Sequence, residues 1–114
     1  MMEKIVQQGL LYDFYGELLT DHQKQIYEDA VFNDLSLSEI AEERGISRQG
    51  VHDIIKRCDK ALAEYEEKLQ LIHKFMETKK RVKEIHCLTK EYLKSQDIAL
   101  IHRIEKISDE IIEL

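Results

Sequence analysis

Apolar and polar positions alternate with a helical period along almost the whole chain. Between residues 4 and 19, Leu11, Phe14 and Leu18 recur at helical spacing, and Leu10, Tyr15 and Leu19 widen the stripe. Gly9 and Gly16 fall inside it, each costing about 1 kcal/mol against Ala, so Gly9 is an alternative helix start. Thr20 with Gln23 forms a capping box that opens a second helix through Ile26, Tyr27, Ala30 and Val31, ending around Asn33 and Asp34. Ser36 with Glu39 is a second box, opening a short helix through Arg44 that Gly45 breaks. Ser47 caps the next helix, whose pattern meets no strong stop before about residue 94. Ser95, Gln96 and Asp97 form the next break, with Ser95 or Asp97 as N-cap of a last helix over 98–113. No strand pattern and no internal repeat appears, so the fold class is all-α.

After Cys58 the apolar positions Leu62, Tyr65, Leu69, Ile72 and Met76 keep heptad spacing. The phase then fails at Lys79 and Lys83, and a new stripe begins at Val82 with Ile85, Leu88 or Thr89, and Tyr92. That shift predicts either a break near Thr78 or two faces with different neighbours. Leu100, Ile104, Ile107, Ile111 and Leu114 return to heptads, widened by Ile98, Ile101 and Ile112. A helix over 47–94 is roughly 70 Å long at 1.5 Å per residue, more than one small domain can cover. The arm therefore folds back, pairs with another chain, or both. The reading is a binding domain over 1–58 and a helical arm over 59–114 that joins copies into a homodimer or higher oligomer. An intrachain hairpin in a monomer is the alternative.

The most informative segment is LSLSEIAEERGISRQGVHDIIK, residues 35–56. A helix-turn-helix needs an apolar residue followed by a small one where its helices cross, and Ile40 and Ala41 supply them. It needs a residue tolerant of left-handed backbone at the turn, and Gly45 stands four positions after Ala41. Ile46 plugs the angle, Ser47 caps the second helix, and Val51 and Ile54 point inward. The outward residues are then Ser47, Arg48, Gln49, His52, Asp53 and Lys56, with Arg57 close by. Arg48 suits guanine and Gln49 suits adenine, while Lys56 and Arg57 suit phosphates. Asp53 opposes a phosphate, and Gly50 weakens the helix.

The stretches LLYDFYGELLTDHQKQIYEDAVFNDLSLSEIAEERGISRQGVHDIIKR and ALAEYEEKL resemble the YlxM-type family of small bacterial proteins linked to the signal recognition particle. Members are similar to the DNA-binding region of sigma factors. The resemblance covers residues 10–69, and Gly50 stands where Ala is usual. It implies a sigma-like helix-turn-helix bundle and a DNA-binding regulatory role, with Arg48, Gln49, His52 and Lys56 as contact candidates. It favours DNA over RNA and points to signal recognition particle components as partners. The competing reading is a protein-interaction adaptor of that system without nucleic-acid binding.

Composition narrows the classes. The chain has no proline, four glycines, 43% hydrophobic and 35% charged residues, too apolar for low-complexity disorder. No apolar run approaches the roughly 18–20 residues of a membrane span. Residues 1–11 carry Glu3, Lys4, Gln7 and Gln8 in place of an apolar leader, so a cytoplasmic location is expected. The net charge of −6 is uneven: 6 Lys and Arg against 12 Asp and Glu over 1–59, and 11 against 11 over 60–114. Such a domain steers polyanions away, although Arg48, Lys56 and Arg57 outweigh Asp53 locally. Binding should be weak, salt-dependent, or aided by a second subunit; the acidic half equally suits a basic protein surface.

Cys58 and Cys87 are expected as reduced thiols in buried or half-buried positions. His22, His52, His73, His86 and His102 are scattered and no Cys/His set has zinc spacing. Without a nucleophile motif or phosphate loop, no enzyme, cofactor or metal is expected. The run Lys79-Lys80-Arg81-Val82-Lys83 spreads around a helix and reads as a solvated face, with an RNA contact as the sharper alternative.

Overall fold

Side-chain caps and one left-handed glycine set most helix boundaries in the computed structural model, which describes residues 3–114. The order is α1 (Lys4–Tyr15), a 3-10 turn (Gly16–Leu18), α2 (Asp21–Val31), α3 (Leu37–Arg44), α4 (Arg48–Leu69), α5 (Leu71–Ser95) and α6 (Ile98–Ile112), with no strand among the described residues. The all-α class holds. Both capping boxes form as expected, at Thr20/Gln23 and Ser36/Glu39. The Ser47 side chain accepts from the Gly50 N–H at 2.9 Å. Asp97, and not Ser95, caps α6, accepting from the Ala99 N–H at 3.0 Å.

Three boundaries differ from the periodicity. Gly9 lies inside α1, so it is not a start. The first helix ends at Tyr15 and not Leu19, because Gly16 tightens the chain against Tyr12, where a Cβ would stand 2.9 Å from the ring. The long helix expected over 47–94 breaks at Gln70, not near Thr78. Gln70 takes a left-handed φ of 54°, while the Thr78 hydroxyl donates to the Lys74 carbonyl within unbroken helix.

The cause of the Gln70 break is tertiary. Tyr15 reaches from α1 and donates its hydroxyl to Glu66 at the end of α4. That same hydroxyl oxygen accepts the Leu71 N–H at 3.1 Å, and Glu66 accepts the Ile72 N–H at 3.0 Å. These two side chains satisfy the first free amides of α5, as a cap would.

The chain forms two compact units, divided after Ile72. The first holds two touching apolar clusters. Tyr15, Leu19, Tyr27, Cys58 and Leu62 are buried together, flanked by Leu11, Phe14 and Ile54. Ile26, Ile40 and Val51 are buried in the second, packed by Ala41, Ile46 and Ile54. Full burial of each such side chain contributes about 1.5–3 kcal/mol. Tyr27 donates to Asp59 at 2.6 Å, and Gln8 adds a bond to Asp59 at 3.0 Å, tying α1 and α2 to α4. The Cys58 thiol is buried and pushed up to about 11 by desolvation and the neighbouring Asp59. Cys87 is exposed, against the half-buried position expected of it.

In the second unit, α5 and α6 are joined by two ion pairs, Arg81 to Glu110 at 3.3 Å and Arg103 to Glu84 at 3.1 Å, while Arg81 also pairs within α5 with Glu77 at 2.6 Å. Ile107 is buried there, whereas Leu93, Ile98 and Ile112 are 73%, 61% and 76% exposed. Among the described residues, no helix is long and apolar enough to cross a membrane.

Candidate nucleic-acid interface

The turn between α3 and α4 is built by Gly45 at φ 69° and ψ 32°, a conformation that costs residues with a Cβ about 1–2 kcal/mol. The Ile46 N–H then reaches back to the Ala41 carbonyl at 3.1 Å, closing the helix end. Ile40 and Val51 are fully buried on α3 and α4, so the two helices cross on the positions expected for a helix-turn-helix. The corner is held from behind by α2. Arg44 donates to Asp29 at 2.9 Å and to Gln25 at 2.9 Å, and Asn33 adds a bond to Asp29 at 3.1 Å. Asp29 is only 9% exposed, and the Arg44 guanidinium beside it holds its carboxyl below the usual range. Arg44 is therefore committed to the scaffold, a role that sequence spacing did not reveal.

With Val51, Ile54, Ile55 and Cys58 turned inward, the opposite face of α4 is presented outward. Arg48, Gln49 and His52 line one shallow notch together with Leu37 from the start of α3. Arg48 and Gln49 are exposed and His52 is half-buried. At about 100° per residue, Lys56 continues this strip one turn on, while Arg57 falls on its flank. The structure thus brings Arg48, Gln49 and His52 together, keeps Lys56 in line, and leaves Arg57 aside.

Two of the expected contact residues already have partners. The Ser47 hydroxyl oxygen is engaged as the helix cap. The Gln49 amide donates to Asp53 at 2.9 Å, an i,i+4 bond that fixes its rotamer and ties Asp53 to the site. That pair was legible in the spacing and was missed. Gly50 also has a local reason: a Cβ there would lie 3.0 Å from the capping Ser47 Oγ. Leu37 was the other omission, since its position depends on how α3 meets α4. The exposed side of α3 is acidic, with Glu39, Glu42 and Glu43.

Arg48, Gln49 and His52 present side chains able to hydrogen-bond base edges or phosphates. Among the described residues no group of three His, Cys, Asp or Glu side chains could hold a metal. Comparison with known proteins agrees with the geometry. The profile of the UPF0122 family, described as a putative helix-turn-helix protein like YlxM and p13, matches residues 2–107. A UPF0122 protein of Acetivibrio thermocellus is 43% identical over 98% of this chain and 99% of its own length. One from Bacillus cereus strain AH187 is 41% identical over 94% and 99%. Another, from Caldanaerobacter subterraneus, is 54% identical over 67% of this chain and 65% of its own length.

Proposed function

The chain belongs to the UPF0122 family of YlxM-like helix-turn-helix proteins, and from that premise we propose that it is a DNA-binding regulatory protein that reads a groove with the N-terminal half of α4. One observation carries the reading: the filled corner buries Ile40 and Val51 and leaves Arg48, Gln49 and His52 gathered on an outward notch. Arg48 serves as the guanine reader and Gln49, aligned by Asp53, as the adenine reader. Lys56 and Arg57 neutralise phosphates, and the Ser47 cap presents the first free amides of α4 to the backbone. The role is binding, not catalysis.

Residues 1–58 supply this surface in the proposal, and the arm over 59–114 supplies self-association into a homodimer or larger assembly. Support comes from the apolar side chains left open there, Leu93, Ile98 and Ile112. Two recognition helices on one assembly would offset the weak affinity of an acidic protein through effective concentration. The resemblance to the YlxM-type family extends the proposal to the signal recognition particle pathway, in the cytoplasm. A second reading, a protein-interaction adaptor, is favoured by the exposed Glu39, Glu42 and Glu43 of α3.

The test is binding of purified protein to random duplex DNA, signal recognition particle RNA and the particle's protein subunit, across a salt series. Arg48→Ala should weaken duplex binding by about 1–3 kcal/mol and leave helical content unchanged, since Arg48 is exposed. Unchanged affinity in that variant removes Arg48 from the site. Binding to the protein subunit alone selects the adaptor.

A further inference from the structure

We propose that α5 carries a second polyanion surface, in which Lys79, Lys83, Lys90 and Lys94 form one exposed stripe that tracks a nucleic-acid phosphodiester backbone. The primary sequence hides it, because the conspicuous run Lys79-Lys80-Arg81-Val82-Lys83 points in several directions. The structure sorts that run. Arg81 is drawn off to Glu77 and Glu110 and is half-buried. Lys79 and Lys83 remain exposed, and with Met76 and Lys80 they line a shallow groove. At about 100° per residue, Lys83, Lys90 and Lys94 fall within about 60° of Lys79 around the helix. The four ammonium-bearing positions span about 22 Å of helix axis at 1.5 Å per residue.

The acidic residues of α5 are segregated. Glu77, Glu84 and Glu91 recur every seven positions, about 120–160° round from Lys79. Glu77 is engaged by Arg81 and Glu84 by Arg103. Only Lys94 has carboxylates at helical-neighbour spacing, Glu91 and Asp97, and Asp97 is occupied as the α6 cap. Among the described residues no ion pair reaches any of the four lysines. Lys79 lies 5.9 Å from the centre of the Phe75 ring, a contact that leaves its charge available. Over residues 60–114 the charges balance at 11 against 11, so an unpaired row of four cations leaves this face locally positive.

A linear polyanion fits this row better than a lipid surface. A helix that lies on a membrane sets a broad apolar face beside its basic one. Here Ile85, Leu88 and Tyr92 are half-buried on the far side of α5, and the exposed apolar side chains that border the stripe, Phe75, Met76, Val82 and Leu93, are strung out along the helix and form no broad face. The choice of nucleic acid rests on the helix-turn-helix reading, and the test below lets the two fail separately. Each phosphate neutralised adds about 0.9 to the slope of log affinity against log salt on duplex DNA, and about 0.7 on single strands. Four contacts add roughly 3.6, so the stripe's contribution falls roughly 100-fold between 50 and 200 mM salt.

The experiment uses the full-length protein and three probes: random duplex DNA, a structured RNA hairpin, and anionic phospholipid vesicles. The variant K79Q/K83Q/K90Q/K94Q is compared with K4Q/K68Q/K74Q/K106Q, which removes equal charge from other exposed positions. The expected result is a salt slope lower by roughly 3–4 on DNA or RNA in the first variant and little change in the second. Whichever nucleic acid shows the larger drop is the natural probe. Equal slopes in the first variant and the wild type overturn the stripe, as do equal losses in both variants. Vesicle binding without nucleic-acid binding overturns it in favour of a membrane. Arg48→Ala serves as the separate arm: weaker duplex binding there while the stripe variant changes nothing sinks the stripe alone. No nucleic-acid binding by wild type in low salt sinks both.

Discussion

Tyr15 is the residue on which the turn between α4 and α5 depends. It is 1% exposed, donates to Glu66 and accepts the Leu71 N–H at 3.1 Å. Tyr15→Phe keeps the ring, and with it the packing against Tyr65 at 6.0 Å, but deletes both hydrogen bonds. The bond to an ionised carboxylate is worth about 1.5–3 kcal/mol, and the amide bond about 0.5–1 kcal/mol because Leu71 is near water. The expected loss is about 2–4 kcal/mol, or about 8–16 °C in Tm for a chain of this size. Tyr12→Phe is the internal control: its hydroxyl donates to Glu28 at an exposed position, so the loss should stay below about 1 kcal/mol. Urea unfolding followed by circular dichroism measures both, and an unchanged m value shows that only stability moved. A Tyr15→Phe protein within about 0.5 kcal/mol of wild type would refute the cap and leave the Gln70 break without its cause.

Three further outcomes follow from the same geometry. Asp29 has its folded pKa lowered by Arg44, so its contribution is present above the unfolded carboxylate value and lost as pH falls through the folded one. Asp29→Asn should therefore cost about 1–2 kcal/mol at neutral pH, with the difference from wild type shrinking as acid titrations of stability pass below the ordinary carboxylate range. A thiol reagent at neutral pH should modify exposed Cys87 quickly and buried Cys58 only on unfolding, so mass spectrometry should show one adduct per folded chain. Leu93 and Ile112 are 73% and 76% exposed, so changing both to Glu should lower the mass seen by light scattering while circular dichroism stays unchanged; a wild type that sediments as a monomer at high concentration removes the self-association reading.

The N-terminal half was legible in one dimension because its determinants are local. A capping box is two side chains three residues apart, and a left-handed turn needs a glycine at a set distance from a small residue. Thr20, Ser36, Gly45 and Ser47 therefore announce α2, α3 and α4 at or within a residue of their observed starts. The outward set on α4 followed from the same period, because Val51 and Ile54 fix which face is buried. Other features depended on residues far apart in the chain. Gln70 carries no strong stop signal; the helix ends there because Tyr15, more than 50 positions earlier, caps the amide of Leu71. Arg44 is held by Asp29 and Gln25 of α2, partners 15 and 19 positions away that no local spacing marks. Arg81 of the basic run is taken out of play by Glu77 and Glu110, the second of them on α6 and 29 positions away. Periodicity reports the face a residue lies on, whereas the partner that claims its charge is chosen by packing between helices.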